Sequence, residues 1–119
     1  MVIVADALAQ RDIWWADLGE PRGSEAGYHR PVVIVQADAL NASRQRTAIC
    51  VPLTSNTAWR ESPWNLFLSA RSTGLTKDSL AQAALVLAID RDRLTERIGR
   101  VSPAQLARLF DCLDIALGR

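Results

Sequence analysis

Hydrophobic positions along this chain come in short runs separated by polar stretches, and only the last run keeps a helical spacing. Residues 12–18, DIWWADL, mix aromatic, apolar and acidic side chains and stop at Gly19, which predicts a short strand. Residues 19–29, GEPRGSEAGYH, hold three glycines and a proline and predict a loop too long for a tight hairpin. Residues 31–36, PVVIVQ, are β-branched almost throughout, the pattern of a central strand buried on both faces. ADALNAS then reads as a helical turn or a loop. Residues 47–54, TAICVPLT, predict another strand, with an edge or a bulge at Pro52 because proline cannot donate to a ladder.

SNTAWRESPW is a second long polar loop, NLFLSA a short strand, and STG a turn. Residues 78–89, DSLAQAALVLAI, leave two readings open: an alanine-rich helix, or a strand deep in a small barrel. DRDRL suits a single helical turn and TERIGRV a final strand. Ser102, Pro103 and Gln105 form a capping-box pattern with proline at the first helical position. Leu106, Leu109, Leu113 and Leu117 follow at helical spacing, with Phe110 and Ala116 beside them, until Gly118 stops the helix. Five or six short strands with a terminal amphipathic helix predict a mainly β protein with α additions, a small β-barrel carrying a C-terminal helix.

Composition narrows this picture. With 119 residues, one domain over 1–119 is expected. Hydrophobic residues make up 49% and the net charge is +1, so the chain is globular and any nucleic-acid site must gather its positive charge locally. No run is long enough to span a membrane. The first ten residues lack the cationic-then-apolar order of an export signal, so a cytoplasmic location is expected. Cys50 and Cys112 lack metal-ligand spacing and read as two buried reduced thiols. A single histidine, His29, rules out a histidine-rich metal site.

Three features could carry chemistry. Arg30 sits beside Pro31 at the mouth of an apolar strand; its permanent charge must reach water, a carboxylate or an anionic ligand. Taken alone, it is better explained by a strand-end ion pair with Glu20, Glu25 or Asp38. Thr54, Ser55 and Asn56 leave a strand together and could donate to a phosphate, though Ser and Asn also suit ordinary turns. Glu25 lies in the glycine-rich loop ahead of Arg30. Histidine is the residue type that most often serves as a base near neutral pH, which makes His29 a candidate, but strand alternation points it away from the face of Arg30.

GSE, the Arg-Pro five residues after Glu25, the following Asn41, and PLTSNT together resemble the MazF/PemK family of toxins. RDIWWADL, DALNAS, STGLTKDSL and IDRDRLTERIGRVS are similar to further family segments in the same order, from about Arg11 to the last helix. Two features depart from the pattern. Leu85-Val86 stand where many members have Gln-Ile, and Ala26 stands where many have Gln. Residues 1–10 look like a short N-terminal extension.

The resemblance implies a CcdB/PemK-like, SH3-like barrel and metal-independent cleavage of single-stranded RNA, with no cofactor. In that chemistry the ribose 2′-OH attacks the adjacent phosphate. Arg30 would stabilise the transition-state charge, Thr54 would hydrogen-bond the phosphate, and Glu25 is the candidate base. Ser55, Asn56, Asn41 and Trp59 are candidate substrate contacts, Trp59 as a stacking platform in a polar loop. The resemblance also implies a homodimer and a cognate antitoxin with an acidic tail. Two alternatives stay open: a non-enzymatic toxin similar to the CcdB gyrase poisons, and an inert SH3-like binding module.

Overall fold

The computed structural model describes residues 8–119. Of the expected extension at 1–10, residues 1–7 lie outside the described residues. Residues 8–10 are tied into the fold: Leu8 is buried, the Ala9 amide donates to Asp12, and Gln10 bonds both Asp38 and the Val35 carbonyl.

Seven strands are described: β1 (Asp12–Asp17), β2 (His29–Ile34), β3 (Thr47–Thr54), β4 (Asn65–Leu68), β5 (Ser79–Gln82), β6 (Leu87–Asp90) and β7 (Leu94–Arg100). Three helices accompany them: α1 (Asp38–Asn41), α2 (Ala70–Thr73) and α3 (Pro103–Leu117). All strand pairs are antiparallel, in the order β4-β5-β3-β2-β1-β7, with β6 also on β3. Three residues in a 3-10 turn, Arg91–Arg93, join β6 to β7, yet among the described residues no ladder links those two strands. The sheet therefore stays open at that seam, and "barrel" describes it only loosely.

β2 is buried on both faces, as its β-branched run predicts. Val33 packs with Ile13, Val51, Leu53 and the inner face of α3, through Leu106, Leu109, Cys112 and Leu113. Val32 and Ile34 pack on the other side with Trp14, Ala16, Cys50, Ile89 and Leu94. At roughly 1.5–3 kcal/mol per fully buried large side chain, these two clusters dominate the stability. Cys50 and Cys112 belong to different clusters, and both are free buried thiols.

The capping box of α3 forms as expected. The Gln105 amide donates to Ser102 Oγ at 3.0 Å and the Ser102 amide to Gln105 Oε1 at 2.7 Å. Gly118 ends the helix in a left-handed conformation, φ 74°. Leu117, expected on the buried stripe, is exposed; Leu113 is the last α3 residue in the core cluster.

Other elements depart from the sequence reading. Residues 78–89 are neither one helix nor one strand. β5 and β6 pair with opposite ends of β3, and a 3-10 turn at Ala83–Leu85 carries the chain between them. Pro52 does fall at a local edge: it pairs Val32 of β2, while on its other side β3 has left β6 after Cys50 and takes up β5 only at Leu53. The turn expected at STG begins earlier, as the one-turn helix α2, with Ser69 capping the Ser72 amide at 3.3 Å.

A candidate active-site cleft at the ends of β2 and β3

The β2–β3 register pairs Val33 with Val51 and Val32 with Pro52. Carried two residues further, it sets Arg30 across from Thr54, on the same face by alternation. A cleft of about 430 Å³ opens at this corner. Its walls are the start of β2, the end of β3, and the segment 74–77. Arg30, Thr54, Ser55 and Lys77 all line it, and none of its lining residues is Asp or Glu.

Arg30 makes none of the strand-end ion pairs considered from sequence. Its Nε donates to the Gly27 carbonyl at 3.0 Å, and the guanidinium has no carboxylate partner among the described residues. That single bond fixes the fork and leaves four N–H groups for an oxyanion. Thr54 Oγ1 accepts the Asn56 amide at 3.1 Å, so its own O–H remains a donor. A half-buried guanidinium, two hydroxyls and an exposed lysine can together hold a phosphate diester and absorb extra charge on it.

Backbone geometry shapes the walls. Leu18 donates to the Tyr28 carbonyl at 2.8 Å, closing the neck of the β1–β2 loop. Tyr28 has φ 61°, a strained value for a side-chain-bearing residue, and stands 65% exposed beside the cleft. A Cβ on Gly27 would overlap the Pro21 ring, so only glycine lets the loop fold back this tightly. Across the cleft, a Cβ on Gly99 would overlap the Thr73 carbonyl, and its absence lets α2 settle against β7. The following segment is pinned by Ser79 Oγ donating to the Lys77 carbonyl at 3.0 Å and by the Ala70 amide donating to Asp78 at 2.8 Å.

The other residues singled out from sequence lie elsewhere or face differently. Glu25 is exposed and its Oε1 accepts the Arg22 amide at 2.9 Å; it is not a wall of the cleft. Asn41 is buried and bonds Gln36 and Asp38, holding α1 to the end of β2. Asn56 Oδ1 accepts the Ala58 amide at 3.1 Å within its own turn. Trp59 is 71% exposed in the 55–64 loop, outside the cleft. His29 does border the cleft, but its ring stacks on Trp15 at 4.9 Å and its Nε2 meets Thr95 Oγ1 at 3.2 Å. The β1–β2 ladder reaches His29, so strand alternation holds from residue 29, yet His29 and Arg30 both border the cleft.

Sequence reasoning missed Lys77, Thr76 and Ser79. A lone lysine in a polar turn carries no signal; only the packing of α2 on β7 brings it opposite Arg30. No membrane-spanning helix and no metal-capable group of three His, Cys, Asp or Glu occurs among the described residues.

Residues 9–117 match a family model described as the PemK-like, MazF-like toxin of type II toxin–antitoxin systems. The chain is 41% identical over 104 residues to endoribonuclease MazF6 of Mycobacterium tuberculosis, spanning 87% of this chain and 90% of that protein. It is 44% identical over 110 residues to endoribonuclease MazF9 of the same organism, spanning 89% and 92%. Among solved structures, a mycobacterial endoribonuclease in complex with its cognate antitoxin superposes with a TM-score of 0.77. It is 25% identical and covers 94% of this chain and 96% of its own.

Proposed function

For a chain that belongs to the PemK-like, MazF-like toxin family, we propose the function of an endoribonuclease toxin that cuts single-stranded RNA in the cleft between Arg30, Thr54 and Lys77. The observation that carries this reading is the cleft's chemistry: an anchored guanidinium faces a free hydroxyl donor and a second cation, with no carboxylate among the walls. A polyanion is the ligand such a surface attracts.

The reaction is attack of the ribose 2′-OH on its own 3′-phosphate, which confines the enzyme to RNA. The O2′–P bond forms as the P–O5′ bond breaks. The proton leaving O2′ passes to Glu25, and the departing 5′-oxygen gains one from the Arg30 guanidinium. Arg30 meets the non-bridging oxygens with its two terminal nitrogens, Thr54 donates its O–H, and Ser55 assists. Glu25 serves as the base once its loop closes over substrate and releases the Arg22 amide. Catalytic hydrogen bonds often tighten only in the substrate complex, so its present position is compatible with that role. Trp59 and Asn56 take bases beyond the cleft, and Asn41 contributes by holding α1. The reaction needs no metal, because Arg30 and Lys77 supply the positive charge.

The partner in this reading is a cognate antitoxin. The solved relative bound to its antitoxin supports it. The chain acts in the cytoplasm as a homodimer. Phe110, Ile115 and Leu117, exposed on α3, offer apolar surface for a second copy. The gyrase-poison alternative needs neither Arg30 nor Thr54, and the curated relatives described above are endoribonucleases. The test is incubation of the purified chain with a long single-stranded RNA in EDTA, followed by mapping of both ends. Defined cuts leaving 5′-hydroxyl ends are expected; intact RNA beside an active control defeats the proposal.

A further inference from the structure

A second cavity, of about 400 Å³, lies at the other end of the same two strands, between the exit of α1 and the turn after β6. Its walls include Asn41, Ser43, Arg44, Gln45, Arg46 and Arg91, three of them arginines, with no Asp or Glu among the lining residues. Arg91 is only 3% exposed. Its Nη2 donates to the Leu40 carbonyl at 3.1 Å, while its buried Nε has no partner among the described residues. It makes no ion pair among the described residues. A buried guanidinium without a countercharge and with an idle N–H is costly unless an anion arrives.

The neighbouring carboxylates are occupied. Asp92 pairs with Arg46 at 2.9 Å, and Asp90 pairs with the same arginine at 3.9 Å while accepting the Asp92 amide. Asp38 accepts the Gln10 amide and Asn41 Nδ2, bonds that hold its carboxyl below the usual range. Arg44 is exposed beside Arg91 and has no partner among the described residues.

We infer that this cavity is a phosphate-binding site in which the guanidinium groups of Arg91 and Arg44 hold one phosphate group. Arg44 draws the anion in and Arg91 fixes it. At about 3.3 Å per residue along β2, the site lies roughly 20 Å from the cleft. A phosphate of the RNA strand outside the cut, or a free phosphate-bearing small molecule, has the required chemistry. The RNA source rests on the ribonuclease reading above; the site itself does not.

The test follows the Arg91 Nε–Hε resonance of the full chain carrying Arg30→Ala, assigned with Arg91→Lys, during titration with inorganic phosphate at constant ionic strength. A saturable shift that chloride does not reproduce, weakened at least fivefold by the surface variant Arg44→Ala, is expected. No saturable shift, or one indifferent to Arg44→Ala, overturns the inference. A single-stranded oligoribonucleotide is then added. If it moves the same resonance, and Arg44→Ala lowers its salt slope by about one, RNA is the source. If phosphate titrates the site but the oligonucleotide does not, a small phosphate compound is. Wild-type protein that leaves RNA intact while phosphate still titrates Arg91 defeats the ribonuclease reading and leaves this site standing.

Discussion

Arg30 and Gly27 are joined by one hydrogen bond, guanidinium Nε to backbone carbonyl at 3.0 Å, and through it the β1–β2 loop sets the direction of the cleft's cation. The loop holds that carbonyl in place because Gly27 packs directly on the Pro21 ring. The arginine is thus aimed by a loop as well as by the strand behind it.

Gly27→Ala tests this coupling. The added methyl must push the loop off Pro21, which turns the carbonyl away from Arg30. A fall in RNA cleavage of about tenfold or more is expected from misplacement alone, with the melting temperature little changed. A folded variant with full activity would show that the loop does not orient the arginine.

Glu25→Gln and His29→Asn separate the two candidate bases. Glu25→Gln is expected to slow cleavage about 10²-fold, the usual scale for a general base. His29→Asn is expected to stay within severalfold, because that ring is committed to Trp15 and Thr95. The opposite ranking in single-turnover rates would transfer the role to His29.

Much of this was legible in the sequence, for physical reasons. The β-branched run at 31–36 can only be satisfied by burial on both faces, and β2 is so buried. The capping box at Ser102 is a local motif, formed by residues three apart. Residues 78–89 were ambiguous because their alanines suit helix and strand alike, and pairing with the two ends of β3, far off in sequence, splits them into two strands joined by a 3-10 turn. Lys77 was invisible for the same reason: its place depends on Gly99 admitting the Thr73 carbonyl, a contact across 26 residues. Glu25, read as part of one constellation with Arg30, is instead bonded within its own loop.

Trp59→Ala addresses the stacking role. A 71% exposed tryptophan contributes little to the core, so stability should hold. RNA binding should weaken by about 1–3 kcal/mol, seen as a raised KM with kcat nearly unchanged. An unchanged KM would assign Trp59 to another surface function.

Burial pushes the Cys50 thiol up to about 12 from an ordinary 9.0. The folded protein keeps it neutral while the unfolded chain ionises, so the unfolded state binds fewer protons above pH 9 and stability falls as pH rises. The loss begins near pH 9 and continues to about 12, reaching about 1 kcal/mol by pH 10. Urea midpoints at pH 8 and pH 10 should differ by that much, and Cys50→Ala should flatten this part of the slope. Equal slopes in both proteins would show that the thiol is not responsible.

The most direct measurement is the single-turnover cleavage rate, on one mapped RNA, of wild type, Arg30→Lys and Thr54→Val. Each variant is checked for folding by its thermal transition. The account predicts losses of about 10²-fold or more for both, because one removes the guanidinium fork and the other the hydroxyl donor. The cut position should not change. Rates close to wild type in either folded variant would contradict the assignment of this cleft as the place where RNA is cut.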